Sequence, residues 1–308
     1  MQRYNFLYKK KKGSDIINFI ILITALSLRI TSGCVANVYQ KKLTQNMCSP
    51  LFVNASTYII LSIFCIPLIF LHDFANLNNN VLFTAAEVGI LGALGNGFLV
   101  KALQKGDLSI LGPINAYKSV FGLIFAFFML GEIPDIAGII GIILIIFGSY
   151  FVLDTTEERF SFALIENKSI QYRFLALIFC SAEAVFIKKL ISVTSVRDAF
   201  VLWCFSGALF STFLMFFNKT DLSKEFFKIK SRNILFILIT VACIGIMQYT
   251  TNYVFNNMNV AYALALFQLS SIVSIFLGYK IFKEKNILKK LLGTVIMITG
   301  AVLIILFK

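Results

Sequence analysis

Ten apolar runs, each near the length of a bilayer crossing, follow one another along the 308 residues: 16–39, 51–71, 81–100, 108–130, 136–153, 170–193, 199–217, 234–255, 258–279 and 291–307. A helix needs about 20 residues to cross a ~30 Å hydrocarbon layer, and only helices and closed barrels satisfy their backbone polar groups there. Because 33 Phe accompany only 4 Pro, the apolar residues lie in long unbroken segments and not in turn-rich β structure. The expectation is an all-α membrane protein with ten transmembrane helices. A composition 58% hydrophobic and 14% charged agrees, since soluble domains run at roughly 45–50% and 25%.

The net charge of +13 does not point to nucleic acid, because most Lys and Arg lie at the ends of apolar runs, where they reach lipid headgroups. Cys34, Cys65, Cys180, Cys204 and Cys243 fall inside runs, Cys48 sits beside a short loop, and no CxxC occurs. They read as small buried hydrophobes. A cleaved signal is rejected even though Thr31-Ser32-Gly33-Cys34 loosely resembles a lipoprotein site: the first run is too long and contains Arg29. His72 is the only histidine, and neither HExxH nor a Walker sequence is present. Enzyme chemistry, a metal and a cofactor are therefore not expected, and energy from ATP hydrolysis by this chain is not either.

The longest connections are 154–169 and 218–233. The first falls at mid-chain and divides the sequence into a basic N-terminal tail (1–15), a first five-helix unit (16–153), the connecting loop (154–169) and a second five-helix unit (170–308). The two units are related. Residues 106–148, GDLSILGPINAYKSVFGLIFAFFMLGEIPDIAGIIGIILIIFG, align with 258–300, MNVAYALALFQLSSIVSIFLGYKIFKEKNILKKLLGTVIMITG, at a constant offset of 152. Glu132 meets Glu284, Gly141 meets Gly293 and Gly148 meets Gly300; further back Ser119 pairs with Ser271, Asp107 with Asn259 and Asn96 with Gln248. A unit with an odd number of crossings re-enters the membrane upside down. The result is two inverted repeats, whose two alternative packings open a central site to one side or the other.

In these features the chain resembles the EamA type of the drug/metabolite transporter superfamily. GPINAYKSVFGLIFAFFMLGEIP followed by GIIGIILIIFGSYFV is similar to that family's fourth helix, Gly-Glu-Pro turn and fifth helix. The second half departs from the pattern, with Lys283-Glu284 in place of Gly-Glu and no Pro in the turn. The resemblance implies ten helices in two repeats, helices 5 and 10 outside the central cavity, and termini in the cytoplasm. Substrates among such members include amino acids, sugars, nucleotide-sugars, phosphorylated sugars and drugs.

Most conspicuous motifs have structural readings. Glu132 and Glu284 sit between two helices each, where a carboxylate meets a positive helix N-terminus, with Pro134 suited to a first turn; capping and packing outweigh gating. Gly141 with Gly148, and Gly293 with Gly300, lie seven apart on one helical face and let helices approach closely.

The functional signal is Arg29, Lys118 and Glu183, each near the middle of its run. A central charge costs roughly 2.5–3.5 kcal/mol even on lenient insertion scales, so it faces a partner or a wet cavity. Two cations against one carboxylate leave a positive charge for a bound anion, unless Glu87 neutralises it; the bland alternative is a structural ion pair. Uncharged polar residues gather in the same runs: Asn96, Asn115, Tyr117, Gln248, Tyr249, Asn252, Gln268 and Ser271. Asn115 and Lys118 share a helix face. Arg29, Lys118, Glu183, Asn96, Asn115, Gln248 and Gln268 are the candidate substrate-binding residues, with interhelical bonding the bland reading of the amides.

The expected function is secondary transport of a small polar anionic or zwitterionic metabolite, an amino acid, organic acid or phosphorylated metabolite, by alternating access in the cell membrane. Proton coupling and plain exchange both stay open, and the oligomeric state is not readable. The alternatives are efflux of cationic drugs on Glu183 and, behind it, a lipid flippase or membrane enzyme. Orientation is contested. Basic residues are more numerous on the side opposite the termini, but the cluster at Arg3 and Lys9–Lys12, just before the first run, favours cytoplasmic termini.

Overall fold

Every element among the described residues is helical. The computed structural model describes residues 2–45, 48–70, 78–121, 136–156, 166–227, 231–258 and 260–306. Helix α1 spans Gln2–Gln45, α2 Pro50–Phe70, α3 Asn79–Lys105, α4 Leu108–Leu111, α5 Ile136–Leu153, α6 Lys168–Val193, α7 Val196–Phe217, α8 Leu222–Phe227, α9 Ser231–Asn257, α10 Val260–Phe267, α11 Ser270–Phe282 and α12 Ile287–Leu306. Eight spans among the described residues are long and apolar enough to cross a membrane, one of them, Ala263–Phe282, formed by α10 and α11 together. The fourth run continues past Phe121 into residues outside the description, and the sixth run is the 26-residue α6. Large apolar side chains such as Phe83, Ile136, Phe147 and Phe217 are exposed, which suits a lipid environment and not an aqueous one.

Two runs expected as single helices are broken. In the fourth, α4 gives way to a 3₁₀ turn at Pro113–Ala116, since Pro113 has no N–H with which to continue the ladder. The ninth run divides into α10 and α11, with the Gln268 and Leu269 N–H groups donating to Ala265 and Leu266, three residues back. The repeat offset places 113–116 on 265–268, so equivalent helices break at equivalent points. Broken helices expose backbone groups at membrane depth, which is tolerated where they are buried in protein or face a wet cavity.

Packing follows the repeat. Helix α5 packs chiefly on α12, α2 on α7, α3 on α6 and α1 on α9. In repeat terms α5 corresponds to α12, α2 to α7, α1 to α6 and α3 to α9, so exchanging the units carries this set of pairs into itself. At the α5–α12 crossing, a Cβ on Gly141 would lie 2.6 Å from the Gly300 carbonyl oxygen, and one on Gly148 2.6 Å from that of Gly293. As one helix ascends its partner descends, so the two run antiparallel. The glycines thus have the packing role expected of them. Gly148→Leu should destabilise the protein by roughly 1–3 kcal/mol or more through overpacking against backbone, read as a lower melting temperature in detergent. An unchanged melting temperature would show that this crossing yields freely.

Candidate functional site

Between α1, α2, α3, α6, α7, α9 and the two helix breaks lies a cavity of about 160 Å³. None of its lining residues comes from α5 or α12, whose glycine faces are taken up by each other. Six of the seven candidate residues line it: Arg29, Asn96, Asn115, Lys118, Glu183 and Gln248. Gln268 is fully buried behind the wall, where its Oε1 accepts from Asn115 Nδ2 at 3.3 Å.

The cations and the carboxylate are not paired. Glu183 Oε1 accepts from the indole N–H of Trp203 at 2.8 Å, and among the described residues no Lys or Arg nitrogen lies within 4.0 Å of the Glu183 carboxylate. The Arg29 guanidinium stacks over the Phe267 ring, 4.0 Å from its centroid, while its Nε is buried without a hydrogen-bond acceptor. A cation over an aromatic face gains about 0.5–2 kcal/mol but no hydrogen bond. Lys118 has neither an ion pair nor a hydrogen bond to any described residue. In this conformation Glu183 thus makes no ion pair within 4.0 Å with Arg29 or Lys118. Glu87 is exposed on α3 and is not in the cavity wall, so it does not neutralise the excess.

A third cation enters from a position that sequence reading placed among the flanking charges. Arg173, near the start of α6, is buried and lines the cavity. Its Nε donates to the Leu111 carbonyl at 2.8 Å and its Nη2 to Asn115 Oδ1 at 3.1 Å. Asn115 N–H turns to Gly112 O at 3.0 Å, so the Leu111 carbonyl loses its helical donor four residues on and Arg173 replaces it. Gly112 O also accepts from Ser271 Oγ at 3.1 Å. The two breaks are thus tied together through Arg173, Asn115 and Gln268. Gln268 Nε2 remains buried with no partner among the described residues.

The amides divide between roles. Asn96 Nδ2 donates to Asn54 Oδ1 at 2.7 Å, and Asn54 Nδ2 to Ala93 O at 2.9 Å, which ties α2 to α3. Gln248 Nε2 donates to Asn252 Oδ1 at 2.9 Å along α9. Tyr117 turns away and donates its hydroxyl proton to Ser149 Oγ on α5 at 2.9 Å, Ser149 in turn donating to the Ile146 carbonyl. For Asn96 and Tyr117 the interhelical role is the one the geometry displays. Tyr58 and Trp203, also in the wall, pack with their rings tilted at 54° and 4.7 Å between centroids beside Glu183.

Glu284 caps a helix, but not the one that follows it. Its Oε1 accepts from Leu108 N–H and its Oε2 from Ser109 N–H, both at 2.8 Å, and Lys41 Nζ lies 3.1 Å from Oε1. The capped helix is α4, in the other repeat. Lys283 makes the turn possible in a left-handed conformation, with φ 58°, sending the carboxylate back across α11 to the α4 N-terminus; a Cβ on Gly278 would lie 2.4 Å from Glu284 Oε2. Burial raises the Glu284 carboxyl, but the Ser109 hydrogen bonds and the Lys41 charge outweigh it, leaving the group below its usual range. Glu132 and Pro134, the corresponding features of the first repeat, lie outside the described residues.

Comparison with known proteins gives the same architecture. No curated protein matches the sequence. A solved crystal structure shares 15% identity with this chain, covers 94% of it and 96% of its own length, and superposes with a TM-score of 0.64; at that identity the likeness shows the fold alone. Residues 19–154 and again 167–306 match the EamA-like transporter family. The chain is a multi-pass membrane protein built from two such repeats, and it belongs to the EamA-like transporter family.

Proposed function

We propose that this chain is a secondary transporter of a small polar anionic metabolite, working by alternating access in the cell membrane. One observation carries the reading: Arg29 and Lys118 face the cavity with no carboxylate within 4.0 Å among the described residues, while the one carboxylate in the wall is held by Trp203. Unpaired cations near mid-membrane are expensive, and a bound anion supplies the missing charge-assisted bonds. A carboxylate or phosphate fits this demand, and the neutral amides beside it can bind the rest of a polar solute. The cavity suits a compact solute.

Ten helices in two inverted repeats are part of the proposal. Support comes from the odd number of helices expected per repeat, the antiparallel α5–α12 crossing at equivalent glycines, and packing pairs that survive exchange of the units. The paired breaks near Pro113 and Gln268 supply the backbone discontinuities on which such transporters build their sites. With ten spans the termini share one side, and we place them in the cytoplasm. A reporter active only in the cytoplasm, fused after Lys308, should be active; silence there with an active external reporter would reverse the orientation.

The test of function is uptake and counterflow in proteoliposomes across a panel of organic acids, phosphorylated metabolites, amino acids and lipophilic cations. Anions, with or without an amino group, should be transported. Transport confined to cations would favour the second reading, cation efflux on the aromatic corner of Glu183, Trp203 and Tyr58. Running the panel with and without a pH gradient separates proton coupling from exchange.

A further inference from the structure

The cavity wall carries three cations, Arg29, Lys118 and Arg173, against the single carboxylate of Glu183. Even with Glu183 ionised the positive charge exceeds the negative by two, and a proton on Glu183 enlarges the excess. One monoanion leaves part of it uncompensated. Neutral bonds to Leu111 O and Asn115 Oδ1 orient Arg173 without cancelling its charge. Five N–H donors belong to a guanidinium, and those two acceptors leave others for a ligand.

All three cations gather at the helix breaks. Arg29 lies over Phe267, the last residue of α10; Gln268 follows it and is joined to Asn115; Asn115 holds Arg173; and Lys118 is three residues further on. Glu183 is turned instead to Trp203 on α7. The cavity therefore has a cationic end at the breaks and a corner formed by Glu183, Trp203 and Tyr58. We propose that the transported species is a dianion and that Arg173 is the residue that sets this preference. The inference rests on the anionic-substrate reading and narrows it. Arg173 is fixed in place by the broken backbone of the fourth run, so its charge is preorganised and no side-chain ordering is needed when the ligand arrives.

Charge-matched pairs at one pH provide the test: succinate against its monoamide succinamate, and glycerol 3-phosphate against its methyl diester. In proteoliposomes the wild type should take up at least one dianion about tenfold or more faster than its singly charged partner, since a charged hydrogen bond is worth about 1.5–3 kcal/mol. The arm that responds tells a dicarboxylate from a phosphate monoester. Arg173→Gln should bring the ratio near one by loss of dianion uptake, through KM more than maximal rate. Arg173→Lys keeps the charge and should keep a dianion preference at lower affinity, which a purely structural role at the break would not produce. Uptake of both succinamate and the diester at rates equal to their dianions overturns the inference while leaving the anion reading intact, as does a preference unchanged in Arg173→Gln. Failure of every anion in the wild type, with a lipophilic cation transported, overturns both. If Arg173→Gln does not fold, the wild-type and Arg173→Lys ratios decide the matter.

Discussion

Lys118→Ala should reduce anion uptake at least a hundredfold while leaving membrane insertion and melting temperature unchanged or slightly raised. The ammonium faces the cavity with no ion pair or hydrogen bond to a described residue, so its removal breaks neither kind of bond there and relieves a desolvated charge costing roughly 2.5–3.5 kcal/mol on insertion scales. What disappears is binding energy for the substrate: each charge-assisted bond is worth about 1.5–3 kcal/mol, and leaving the anion partly unpaired adds to the loss. Function and stability should therefore move in opposite directions, or only function should move. The uptake rate and the melting temperature of the same preparation check this. Normal uptake with a lowered melting temperature would make Lys118 part of the scaffold.

Glu284→Ala should have the opposite profile. It removes the acceptor of the Leu108 and Ser109 N–H groups and strands Lys41, whose side chain is 4% exposed. Breaking a buried ion pair from one side costs about 3–5 kcal/mol, enough to lower the yield of folded protein sharply. The carboxyl titrates below its usual range in the folded state. Its stabilising contribution is therefore complete above the unfolded-state value and lost as pH falls through the lower folded one. Acid should consequently lower the melting temperature more in the wild type than in a Lys41→Met, Glu284→Met double variant, which removes both charges together. Equal acid sensitivity in the two proteins would contradict this role.

The features that span the membrane were legible because hydrocarbon imposes a length and an apolar composition that leave a plain mark on sequence. Glycine spacing foretold close helix packing at α5 and α12, since only a residue without Cβ permits it, but not that the two helices meet each other. Six of the candidate residues came to the cavity because a polar group in mid-run has few places to go. Arg173 was missed since it stands near the edge of the sixth run, where basic residues ordinarily reach for headgroups; its role depends on a break in another helix, at Leu111, that α6 itself does not encode. The role of Lys41, just past the end of the first run, was hidden for the same reason. Pro113 offered a cue for the first break, but nothing in ALALFQLSS announces the second except its alignment with the first. The target of Glu284 was hidden because capping rules are local, whereas its carboxylate crosses to the other repeat.

The central claim, an anion held between Arg29 and Lys118, is tested most directly by a structure of the protein with a transported solute bound. The account predicts that a carboxylate or phosphate lies in the cavity within about 3 Å of Lys118 Nζ and a guanidinium nitrogen of Arg29, with Gln268 still behind the wall. A solute whose positive group rests on Glu183 and Trp203, with Arg29 and Lys118 left untouched, would contradict it.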